Sequence, residues 1–249
     1  MTSAHRRPDE TIAPAERREQ VRHAWLAEGS FYSPWLHLGF TSVVGVALVI
    51  GAACLLVDVR AWEWALSAAL LLGANAGEWR LHRDVLHRRF APASSLYERH
   101  ALHHHVVFIT DDMAIRGARE LRLVLIPAVG IALAFLGLLP IAAAIWLLGQ
   151  HNLGALFAAV MIAYVVLYEW THLAYHLPAD SRVGRLGVVR VLRRHHAIHH
   201  DPRLMQRWNF NITVPLWDWL RRTRVRSTEE GLARDRKRRE KRAGAVSAA

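Results

Sequence analysis

The sequence predicts an all-α integral membrane protein, with four transmembrane helices capped by a cytosolic helical domain that holds a histidine-rich dimetal site. Three observations predict it. Residues 29–57 and 123–168 contain no Asp, Glu, Lys or Arg. Almost every basic residue falls on one side of those stretches. Ten of the 16 histidines gather into four short groups. With 53% apolar residues and a mean hydropathy of +0.10, a soluble chain of 249 residues would spread its apolar residues along its length. Here they are concentrated, and ~20 residues at ~1.5 Å rise cross a hydrocarbon core.

Taken in order, residues 1–34 form a polar N-terminal segment, with a short helix expected at 14–28. Arg6 and Arg7 lead into polar sequence rather than an apolar run, so no cleavable signal is expected. The first span is predicted at 37–57, with Trp35 as an interfacial anchor. The second is predicted at 62–79. Its apolar centre, 64–77, would rise only ~21 Å, but Trp62, Trp64 and Trp79 flank it and the helix should continue toward His82. Residues 123–168 are long enough for two passes, predicted at 123–148 and 154–170. Residues 149–152 are the expected turn, 137–140 the competing one, and Pro140 should kink the first arm. Residues 223–249 read as a disordered basic tail.

The net charge of +11 invites a nucleic-acid reading, but 11 basic and 4 acidic residues lie between 221 and 242. A basic segment after the last membrane element suits anionic lipid headgroups or solvent, so membrane lipids rather than nucleic acid are the expected partner. With four spans, 31 of the 32 Lys and Arg lie on one face. The positive-inside rule makes that face cytoplasmic and places both termini and the active site there, in the cell inner (plasma) membrane. Cys54 is the only cysteine, which excludes intrachain disulfides and multi-cysteine metal sites.

The four groups are His82 and His87; His100, His103 and His104; His172 and His176; and His196, His199 and His200. At ~100° per residue, positions i, i+3 and i+4 share a helix face, so each HxxHH should present three imidazoles to one point. His172 and His176 present two in the same way. His82 and His87, five apart, would lie about 140° apart on a helix, so one of them should sit where the helix ends or turns. Ten neutral imidazoles exceed the needs of one metal ion and suit two, at about five nitrogens each. His105 and His195 extend two groups but break the spacing, and are left outside the predicted ligands. His5, His23, His37 and His151 read as surface residues.

Glu169 and His172 form one Glu-x-x-His, but a carboxylate-bridged bundle needs a second and none is present. Glu78, Asp84, Glu169 and Asp201 are candidates for accepting a hydrogen bond from the outer ring nitrogen of a ligating histidine, or are ordinary helix-end charges.

The four groups, in this order around a membrane hairpin, resemble the histidine boxes of the fatty acid hydroxylase/sterol desaturase superfamily. The segments His199-His200-Asp201-Pro202 and Asn209 to Asp218 resemble the stretch after that family's last box. The resemblance covers roughly 35–222. Asn211 stands where a glycine is expected, and Arg221-Arg222-Thr223 replaces a phenylalanine–glycine ending. The resemblance implies a membrane di-iron hydroxylase domain in which the ten histidines hold two iron ions, with zinc as a substitute in purified material. It also implies use of O2 and of electrons from a separate donor protein to hydroxylate a lipid of fatty acyl, sterol or carotenoid type. Trp170, Trp208, Phe210 and Trp217 would line the lipid's path or pack between helices. Desaturation by the same centre is the nearest alternative. A haem-binding electron carrier is a further one, disfavoured because the histidines lie at or beyond the ends of the apolar runs. A metal-storage membrane protein is the third.

Overall fold

The computed structural model describes residues 14–28 and 31–247, so His5, Arg6 and Arg7 lie outside the described residues. Among the described residues there is no strand, only an isolated bridge between Ile109 and Asp112. Among these residues three helices are long and apolar enough to cross a membrane: α2 (Pro34–Cys54), α4 (Ala128–Leu147) and α5 (His151–His176). A fourth long helix, α3 (Ala61–Leu81), packs beside α5. It carries Glu63, Asn75 and Glu78, all buried, so it is more polar than the other three.

Local chemistry fixes the ends of these helices. Ser33 caps α2 through its Oγ and Pro34 follows at the first helical position. Glu63 reaches back to the Arg60 N–H at 2.6 Å and starts α3. The turn between α4 and α5 falls at 148–150, where Gly149 takes φ +80°, a value a side chain would strain. The competing turn at 137–140 is not used, and Pro140 sits inside α4. Two glycines set the packing distances. A Cβ on Gly45 would come within 2.4 Å of Val166, and one on Gly154 within 2.7 Å of the Ala142 carbonyl, so α2 and α4 each approach α5 closely. Ala52, Ile131, Phe135, Ala142, Ala158 and Ile162 fill the resulting core.

The 26 residues of α5 rise about 39 Å, more than the ~30 Å of a hydrocarbon core. Its last turns, which carry His172 and His176, therefore project into the polar part of the molecule. That part holds α1 (Pro14–Ala27), the turns around 82–124, α6 (Gly187–His199) and the segment from 200 onward. α1 is fastened there by a buried Arg22–Glu120 pair at 2.7 Å and by Arg18, which reaches the Val107 carbonyl and Asp112.

Two expectations are corrected. The basic tail is not disordered over 228–247: Thr228–Ser247 forms a helix, α7. The reason is a narrow apolar stripe hidden among the charges. Leu232 packs against Leu204, Trp208 and Val225, Asp235 pairs with Arg207 at 3.0 Å, and Arg238 lies over the Trp208 ring. His37 is buried rather than on the surface. Its Nε2 donates to the Ile126 carbonyl at 2.7 Å, while Tyr32 donates to its Nδ1 at 2.8 Å.

Candidate metal centre

Ten histidines meet in two buried groups of five. One comprises His82, His87, His100, His105 and His199, the other His104, His172, His176, His196 and His200. Within each group the ligand atoms all lie within 4.8 Å of one another. Ligands opposed across one ion at ~2.1 Å would be about 4.2 Å apart, so each group has the dimensions of a single coordination sphere. The groups abut, with the rings of His105 and His200 stacked at 4.2 Å and those of His100 and His104 at 5.2 Å.

Nine of the ten sequence-predicted histidines are in these groups. His103 is in neither: its ring stacks on Trp25 at 4.5 Å and its Nδ1 donates to the Glu98 carbonyl at 2.7 Å. His105 takes the tenth place. The cause is backbone geometry. Glu98–His104 is a π-helical turn, in which the His105 N–H bonds to the His100 carbonyl five residues back. Residues i and i+5 then share a face, so His100, His104 and His105 point inward and i+3 turns away. The same device serves the first group. His82–Leu86 is also π-helical, the His87 N–H bonds to the His82 carbonyl at 3.2 Å, and the turn ends at His87. By contrast α6 is a regular α-helix, and His196, His199 and His200 converge at the predicted i, i+3, i+4 spacing.

Main-chain carbonyls orient the rings. Nδ1 donates to Phe210 O in His82, to Trp208 O in His199 (2.8 Å), to Leu123 O in His104 (2.9 Å), to Met113 O in His176 (2.7 Å) and to Phe108 O in His200 (2.7 Å). A carbonyl only accepts, so each of these rings carries its proton on Nδ1 and turns the bare Nε2 lone pair inward. Burial holds His82 and His104 down at about 4 and His87, His100, His105, His196, His199 and His200 well below the usual histidine range. Near neutral pH they are therefore uncharged, as a metal-binding imidazole must be. The Nε2 atoms stand 2.9 Å apart in His82–His100 and His87–His199 and 3.0 Å in His196–His200. Nδ1 of His87, His105 and His196 is buried with no partner. So many converging lone pairs with so few protons to share fit a cation at each focus.

Other residues make those carbonyls available. Leu123 O would bond to the N–H of residue 127 in a continuous helix, but Pro127 has none, and the carbonyl is left for His104. The break there is held by Glu169, which accepts from the Ile126 N–H at 3.2 Å, and by His37, which donates to the carbonyl of the same residue. The stretch 208–213 is held open by two buried carboxylates. Asp218 accepts from the N–H groups of Phe210 (3.0 Å) and Asn211 (2.7 Å) and from the Thr223 hydroxyl (2.6 Å). Glu78 accepts from Ile212, Thr213 and Tyr164. With its N–H tied to Asp218, Phe210 turns its carbonyl toward His82, while Trp208, whose N–H bonds to the Leu204 carbonyl, turns its own toward His199.

None of the four candidate carboxylates accepts from a clustered histidine. Glu78 and Glu169 bind backbone, Asp84 pairs with Arg80, Arg83 and Arg88, and Asp201 pairs with Arg203. Among the described residues the carboxylate that reaches a histidine is Asp218, at 3.2 Å from His195, which lies outside both groups. Asn211 replaces the expected glycine productively: its side chain donates to Asn75 O and accepts from the Asp218 N–H, both at 3.0 Å. Phe210 packs against His82, His87 and His199, whereas Trp170 is largely exposed on the apolar surface of α5 and Trp208 is sealed beneath α7.

A small cavity of about 50 Å³ reaches both groups, touching His100, His104 and His172. Its other walls are mostly apolar and include Leu86, Leu96, residues 123–127 and Tyr168.

Fold and site together define a helical membrane protein built around a paired polyhistidine centre. The family model for fatty acid hydroxylase matches residues 67–223, well over half of the chain and all ten clustered histidines. The chain belongs to the fatty acid hydroxylase family, whose members are oxidoreductases carrying out hydroxylation or desaturation chemistry on lipids in membranes. No curated protein and no solved structure matches it.

Proposed function

We propose that this chain is a membrane-bound di-iron oxygenase that hydroxylates an unactivated C–H bond of a lipid, using O2 and electrons from a separate donor protein. The observation that carries the reading is the convergence of two five-histidine groups on adjacent foci beside an apolar-walled cavity. His82, His87, His100, His105 and His199 would hold one iron, and His104, His172, His176, His196 and His200 the other. When bound, such a pair of ions supplies the oxidising power that no side chain possesses. The chain's own residues hold the ligands. The carbonyls of Leu123, Phe108, Met113, Trp208 and Phe210 fix ring tautomer and direction, a second layer that typically tunes metal affinity 10–100-fold. Phe210 and the walls at 123–127 keep water from the foci beside a mostly apolar cavity.

In this reading α3 is the fourth span. Its 21 residues rise about 32 Å, Trp62 and Trp64 mark one interface, and its buried acids face protein rather than lipid. The polar part, with both termini, then faces the cytoplasm by the distribution of its basic residues.

The test is turnover of iron-loaded protein in lipid bilayers with a reductant system under ¹⁸O2. Label in a lipid product supports hydroxylation, and an unlabelled new double bond replaces it with desaturation. Iron-loaded protein that alters no lipid contradicts both.

A further inference from the structure

The cavity that reaches the histidines is not apolar throughout. Arg99, Arg122 and Trp25 also line it. Both guanidinium groups lie over the Trp25 ring, at 4.8 and 4.9 Å from its centre. Each spends one donor on the main chain, Arg99 on Arg122 O at 3.3 Å and Arg122 on Trp25 O at 2.7 Å, which fixes them while leaving most of their five N–H donors free. Among the described residues neither reaches a carboxylate. Arg18, Arg22, Arg80, Arg89, Arg116, Arg203, Arg207 and Arg234 all do. The acids on the same elements are already engaged, Glu98 by Arg89 and Glu120 by Arg22. The indole N–H of Trp25 is buried without a partner. Two half-buried cations and an orphan donor thus border one small cavity with no anion to receive them. Paired guanidiniums of this kind suit carboxylate or phosphate.

We propose that Arg99, Arg122 and Trp25 bind the anionic head of the lipid, so that the substrate is an acidic amphiphile, with a carboxylate or phosphate head, rather than a neutral sterol or carotenoid. This rests on the oxygenase reading for the reaction but not for the binding. The head is held at the arginines while the chain enters past Leu86, Leu96 and Tyr168 toward His100, His104 and His172.

Equilibrium binding to metal-loaded protein in neutral detergent tests it, with radiolabelled palmitate, hexadecyl phosphate and methyl palmitate as probes. The wild type should bind at least one acidic probe about tenfold or more tighter than methyl palmitate. The arm that binds tighter identifies the head as carboxylate or phosphate. Arg99→Gln and Arg122→Gln should each lose about tenfold for the acidic probe with methyl palmitate and metal content unchanged, and Arg→Lys at either site should recover part of the loss. Equal wild-type affinity for acid and ester overturns the proposal, even if the glutamine variants do not fold. So does a loss in those variants that is equal for both probes. Arginine-dependent binding of an acid without any ¹⁸O2 incorporation would leave the clamp standing and remove the oxygenase reading instead.

Discussion

The two HxxHH segments look alike in sequence and are built differently. In His196-Ala-Ile-His199-His200 a regular α-helix points positions i, i+3 and i+4 inward, with His199 serving one group and His196 and His200 the other. In His100-Ala-Leu-His103-His104-His105 a π-helical turn points i, i+4 and i+5 inward and rotates i+3 onto Trp25. Each segment still contributes to both foci. The comparison teaches that a histidine box is a statement about backbone pitch as much as about residue type. A single added hydrogen-bond step exchanges one ligand for its neighbour two places along.

The sharpest way to break this comparison is to exchange the roles of His103 and His105. His105→Ala should reduce turnover to below roughly a hundredth of wild type, because it removes a nitrogen from one focus. His103→Ala should keep activity within about threefold, since it loses only a half-buried stack on Trp25 and a bond to the Glu98 carbonyl, outside both groups. Steady-state rates on any accepted lipid decide it, and the reverse order would mean that the segment is α-helical in the working enzyme. A smaller effect should follow from loosening the carbonyl that aims His82. Asp218→Asn weakens the hold on the Phe210 and Asn211 N–H groups and should lower metal affinity about 10–100-fold, read by competition with a chelator. The smallest effect concerns the C-terminal helix α7, which holds none of the clustered histidines. Leu232→Ala should cost about 1–2 kcal/mol of stability to denaturation, less than a fully buried leucine, and leave metal content unchanged.

Much of this was legible in the sequence, and the exceptions share a physical cause. The hairpin turn at Gly149, the apolar spans and the convergence of nine histidines follow from composition, turn chemistry and α-helical periodicity. His105 was not legible because a period of 3.6 residues cannot announce a π-helical turn. The five-residue gap from His82 to His87 was the available clue, since the same gap separates His100 from His105. Of the two readings open for the carboxylates, the orienting one fails because the orienting acceptors are carbonyls, and which carbonyls are free depends on tertiary ties such as Asp218 to 210–211. Pro127 was in plain sight, yet its effect on Leu123 emerges only once His104 is known to lie opposite. Leu232 was one apolar residue in an arginine-rich run, too weak a pattern to predict that α7 docks.

The most direct test of two five-histidine foci is an anomalous difference map from crystals of iron-loaded protein, recorded above and below the iron edge. It should show two neighbouring peaks in each chain, one ringed by His82, His87, His100, His105 and His199 and the other by His104, His172, His176, His196 and His200. A single peak, or a peak coordinated by His103 with His105 turned away, would contradict it.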